Sequence, residues 1–156
     1  MADKTTRRAE SETVIVSLSF PVRTLGIGFV AGLRSMTAPA AVLAATENSL
    51  AFLAAFLAAG ELVADKLPAT PSRLIPPAFG IRLVSGAYCG MTLAEPYDGD
   101  VWVGVACGIA GAIAGTLAGS ALRTKIGPAL HLPDLIVALA EDGVAVGGAL
   151  VLTGLE

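Results

Sequence analysis

Six ionisable side chains stand inside stretches that are otherwise apolar: Arg34, Glu61, Asp65, Arg82, Glu141 and Asp142. Glu61 and Asp65 are spaced i, i+4, so a helix projects both carboxylates from one face. Acids placed in this way can hold a proton or a cation, and the arginines can act as counter-charges or clamp an anion. Glu61 and Glu141 are the expected carriers, with Arg34 as their counter-charge. Lys66 and Arg73 lie in a Pro-rich turn, Asp65-Lys66-Leu67-Pro68-Ala69-Thr70-Pro71-Ser72-Arg73, and are placed to meet phosphate headgroups. A second chemistry suits the same residues: Glu61, Asp65, Glu141 and Asp142 holding Mg²⁺ while Lys66, Arg73 and Arg82 neutralise a lipid or isoprenoid phosphate. No Ser–His or Cys–His set points to acyl chemistry, no catalytic residue or cofactor motif is evident, and no metal is assigned. Cys89 and Cys107 sit in small apolar runs and read as reduced packing residues. His131, beside Pro133 and Asp134, reads as solvated.

The elements that must position these groups are set by composition. Of 156 residues, 54% are apolar and only 15% charged, against roughly 45–50% and 25% in ordinary soluble domains. So few charges cannot cover a compact body of this size, and lipid becomes the expected solvent for much of its surface. The net charge of −3, without a basic stripe carrying stacking aromatics, argues against a nucleic-acid partner.

Apolar stretches at about 24–45, 50–67, 76–94, 101–122 and 132–155 approach the ~20 residues needed to cross a bilayer. They predict an all-α, polytopic membrane bundle of five spans after a polar tail and lead-in over residues 1–23. Loop charges orient it. Lys4, Arg7, Arg8, Arg23, Lys66, Arg73, Arg123 and Lys125 fall on one side; Glu47, Glu95, Asp98, Asp100 and Glu156 fall on the other. Cytoplasmic loops retain Lys and Arg, so the reading is a bacterial inner-membrane protein with its N-terminus inside and its C-terminus outside. Within such spans Arg34 lies about 15 Å from the inner edge of the first. Six charges facing lipid would cost on the order of 10–20 kcal/mol. They must therefore converge on the interior, either around a hydrated pocket or in an Arg34–Glu61–Glu141 network.

Two backbone features accompany them. Arg34-Ser35-Met36-Thr37-Ala38-Pro39 places a cap-like Thr two residues before Pro inside a span, where the helix is expected to break or kink. The fourth span repeats small residues at four-residue spacing, Gly104 and Gly108 on one face and Gly111, Gly115 and Gly119 on another. Such faces let a second backbone approach, within the chain or in a homo-oligomer. Leu25–Gly32 also resembles Phe79–Gly86, which would make spans one and three parallel equivalents. Gly26-Ile27-Gly28-Phe29-Val30-Ala31 matches a dinucleotide fingerprint by letter, but no preceding strand supports it.

The strings Ala31-Gly32-Leu33-Arg34-Ser35-Met36-Thr37-Ala38-Pro39, Gly60-Glu61-Leu62-Val63-Ala64-Asp65-Lys66-Leu67-Pro68, Arg82-Leu83-Val84-Ser85-Gly86 and Leu132-Pro133-Asp134 with Ala140-Glu141-Asp142 together resemble a family of small bacterial membrane proteins, domain of unknown function 4126. The resemblance implies a polytopic membrane protein and brings no activity or substrate. Three functions are then weighed: transport or channel-like passage of a small ion or solute, the Mg²⁺-dependent lipid-phosphate enzyme, and a structural or partner-binding subunit.

Overall fold

The computed structural model describes residues 19–64, 74–129 and 131–154, and every regular element among them is helical. Helix α1 runs Phe20–Leu33, α2 Thr37–Ala45, α3 Ala51–Ala64, α4 Pro76–Thr92, α5 Val101–Ala121 and α6 Asp134–Thr153. Local chemistry sets several of these ends. Prolines open α1 and α4, where a missing N–H costs nothing. Asp100 caps α5 by accepting from the N–H groups of Trp102 and Val103, and Gly154, at φ +75°, closes α6 in the left-handed region that glycine enters without a Cβ penalty. Beyond Ala121 the chain winds through a wider π-helical turn, Leu122–Ile126, before Gly127–Ala129.

Glycine sets the packing of the centre. Leu25 and Phe29 of α1 lay their carbonyl oxygens on Gly111 and Gly115 of α5, while Gly28 and Gly32 meet the backbone at Gly108 and Ala112. On its other side α5 presents Gly104 and Gly108 to Gly90 and Gly86 of α4. A Cβ at any of these glycines would overlap a neighbouring carbonyl oxygen. Gly119 is buried on the same helix. The contacts run in step for α1 and α5, which are parallel, and in reverse for α4 and α5, which are antiparallel. Helix α6 is antiparallel to α1, since Leu152 lies by Gly26, Gly148 by Val30 and Asp142 by Arg34.

The first predicted span is not one crossing. After Leu33 the backbone turns through Arg34, which is extended at φ −139° and ψ 112°, and α2 doubles back. Thr37, Ala40, Ala41 and Ala44 line one groove with Val146, Ala149 and Leu150, so α2 travels past α6 toward the end α1 came from. Val42 accordingly joins Ile27, Cys89 and Leu93 in one core. Residues 20–45 thus form a helical hairpin with Arg34-Ser35-Met36 at its tip. Helix α3 then runs antiparallel to α2.

Three expectations change with this hairpin. The N-terminal end of α1 and the C-terminal end of α6 lie at the same end of the bundle, where Arg23 donates to the Leu152 carbonyl at 2.8 Å and to the Tyr97 hydroxyl at 3.2 Å. A five-span path would set these two helix ends on opposite faces of the bundle; among the described residues they share one end. Arg23 is not a loop charge but a buried one, its guanidinium stacked 4.6 Å from the Tyr97 ring centre. Finally, α1 and α4 run in opposite directions, since Arg82 bonds to Gly32 and Gly86 packs at the level of Gly28, so the two similar segments are not parallel equivalents.

Among the described residues two helices are long and apolar enough to cross a membrane, the one over Val101–Ala129 and the one over Asp134–Thr153. The bundle's polarity is inverted relative to a soluble domain. Phe52, Phe56, Val63, Val84 and Trp102 are largely exposed, while Arg34, Arg82, Glu141 and Asp142 are 0%, 5%, 2% and 9% exposed.

Candidate functional site: the hairpin tip

A helical hairpin leaves unpaired carbonyls where its first helix ends and unpaired N–H groups where its second begins. At this tip, side chains from four other helices meet them. The Gly32 carbonyl, at the end of α1, accepts from Arg82 Nε at 3.2 Å and from Thr116 Oγ1 at 3.2 Å. The Ser35 carbonyl accepts from Ser85 Oγ at 2.6 Å. Glu61 takes the donors: its Oε1 accepts from the Ser35 N–H and the Ser35 hydroxyl, and its Oε2 from the Met36 N–H, each at 2.8 Å. The guanidinium of Arg34 pairs with Asp142 of α6.

The helix start is therefore capped from outside. Met36 occupies the N-cap position without a side-chain bond, and Thr37 begins the helix instead of capping it. A carboxylate here also meets the positive end of the α2 dipole. Pro39 lies in the first turn of α2, where its lack of an N–H breaks no helix bond.

The buried charges separate into pairs. Arg34 faces Asp142; Arg82 Nη2 lies 3.8 Å from Glu61 Oε1; Arg123 Nε donates to Glu141 Oε2 at 3.2 Å. The hairpin turns Arg34 toward α6, while Glu61 reaches the tip from α3. Sequence reasoning missed three contributors. Arg123 read as a loop charge, yet the π turn after α5 carries it back against Glu141. Ser85 and Thr116 carried no signal, since small hydroxyls in apolar helices most often bond their own preceding turn. Among the described residues no group of three or more His, Cys, Asp or Glu side chains converges as metal ligands do. Asp65, Lys66 and Arg73 lie outside the described residues, as does the tail with Lys4, Arg7 and Arg8. His131 is exposed in a turn at φ 54°.

No family model, curated protein or solved structure matches this chain. The geometry of the tip therefore carries the functional argument.

Beside the tip, α2, α3 and α4 enclose a groove of about 710 Å³ walled by Met36, Pro39, Leu43, Leu57, Val84 and Tyr88, among others. A second, of about 310 Å³, separates α3 from α6. Helix α3 thus stands between two grooves, buried only at Ala54 and Ala58.

Proposed function

We propose that the chain is a multi-pass membrane protein, of the bacterial inner membrane by its resemblance to domain of unknown function 4126, in which residues 20–45 form a re-entrant hairpin and the tip lines a pathway for a small ion or solute. Its α1 stops at Leu33 after 14 residues, about 21 Å, and the chain turns back there. In lipid, irregular backbone is tolerated where it is buried in protein or lines a cavity, and broken helices at mid-depth are a recurring feature of transporter sites. Helices α3, α4, α5 and α6 then cross. The end bearing Arg123 and Lys125 faces the cytoplasm, and Glu47, Glu95, Asp98 and Asp100 face outward. This keeps the C-terminal end of α6 outside, as read from the loops, and reverses the reading for the start of α1, which with Arg23 moves to the outer face.

The observation that carries the reading is the seat of Glu61, a carboxylate that accepts three hydrogen bonds from Ser35 and Met36 at the hairpin tip. A carboxylate in this position can give up its partners when it takes a proton or when a cation or solute arrives, whereas Arg34–Asp142 and Arg123–Glu141 hold the surrounding helices. Glu61 is therefore the carrier, Arg82 its counter-charge and Ser85 the residue that fixes the tip. The test is flux in sealed vesicles containing the purified protein, followed with proton- and cation-sensitive dyes and a panel of small solutes. Wild type should conduct and Glu61→Gln should not; wild-type flux in a folded Glu61→Gln protein would overturn the assignment.

A further inference from the structure

We infer that α3 is a proton-controlled gate latched to the hairpin by Glu61. The inference rests on the membrane reading above and concerns how the same site is opened. Helix α3 is buried only at Ala54 and Ala58. It packs on α2, with Ala55 and Ala59 of α3 and Ala40 and Ala44 of α2 lining the groove on one side of it and a second groove on the other. Phe52, Phe56 and Val63 are largely exposed. In lipid these apolar contacts give no net hydrophobic drive for association, because acyl chains replace them at equal polarity. What distinguishes the docked position of α3 is the carboxylate of Glu61 on three donors of the tip.

The latch depends on charge state. Oε1 accepts two hydrogen bonds and Oε2 one; an ionised carboxylate is the stronger acceptor for all three, whereas a proton weakens the oxygen that carries it as an acceptor and adds a donor that needs a partner of its own. Protonation also removes the attraction to Arg82. The other charged groups around Glu61 do not replace it: Arg34 is engaged by Asp142 of α6, α2 bears no ionisable side chain, and on α3 itself the next acid, Asp65, lies outside the described residues. Docked α3 is thus favoured with Glu61 ionised. On protonation the helix swings from α4, widening the groove that leads to Met36 and Ser85 and exposing the tip.

Spin labels at Phe56 on α3 and Val84 on α4, in a Cys89→Ala, Cys107→Ala background in lipid nanodiscs, read the swing directly. A second pair at Val84 and Leu117 reports the α4–α5 packing. Acidification should lengthen the Phe56–Val84 distance and leave Val84–Leu117 unchanged. Glu61→Gln should show the longer distance at neutral pH and no further change on acidification. An unchanged α3–α4 distance in wild type, a Glu61→Gln protein that still responds to acid, or both pairs lengthening together would each overturn the gate. Because distances are read without flux, a failed gate with intact transport is distinguishable from a failed transport reading.

Discussion

The carboxylate of Glu61 lies 2.8 Å from the backbone nitrogen of Met36, so the start of α2 is capped by a residue of α3. A helix of nine residues has few turns over which to recover the cost of its own initiation. Its existence depends on a side chain contributed by its neighbour, and the local fold and the proposed site are the same object.

Removing one member of the Arg34–Asp142 pair leaves the other charge buried. Arg34→Leu or Asp142→Leu should each lower stability by about 3–5 kcal/mol, and the double replacement should recover a large share of that loss. Thermal denaturation of the purified proteins in one detergent provides the comparison; additive losses would show that the two side chains are not coupled.

Ser85→Ala deletes the hydroxyl that satisfies the Ser35 carbonyl at 2.6 Å. A buried acceptor left without its donor costs about 1–3 kcal/mol. Flux should fall while the α4–α5 packing, and with it the Val84–Leu117 distance, stays as in wild type. Ser85→Thr, which keeps the hydroxyl, should restore much of the loss.

Gly111→Val sets a branched side chain against the Leu25 carbonyl and the Phe29 nitrogen. Overpacking of this kind costs about 1–3 kcal/mol or more, and here the clash is with backbone that cannot rotate aside. The variant should melt well below wild type, whereas Gly147→Ala, on a glycine with open space around it, should melt like wild type.

Reporter fusions test the path of the chain. With α1 and α2 forming a hairpin, tags at the N- and C-termini should report the same side of the membrane, and a tag between Arg123 and Lys125 the other. Tags on the two termini reporting opposite sides would restore the odd number of crossings.

Much of this was legible in the residues and some was not. The break at Arg34-Ser35-Met36 was readable because Pro39 and Thr37 interrupt an apolar run. The direction taken after the break was not, since hydropathy measures how apolar a segment is and not which way it travels. Charges inside the spans identified Arg34, Glu61, Arg82, Glu141 and Asp142 as buried, a consequence of solvation cost alone. Their partners needed the fold: Asp142 and Glu141 are neighbours in sequence yet engage different arginines, because successive residues of a helix point about 100° apart. The glycines of α5 announced close approach; that one helix would serve α1 and α4 together depends on where the hairpin inserts.

The hairpin also constrains how the protein can be made. Among the described residues it is the first helical segment in chain order, but the side chains that satisfy its tip belong to residues 61, 82, 85, 116 and 142, spread over nearly all the described residues that follow. Until α6 has been synthesised, a polar turn bearing an arginine lacks part of its set of partners. On the proposed membrane reading, the tip therefore completes its contacts only after Asp142 has been made, well after the hairpin itself.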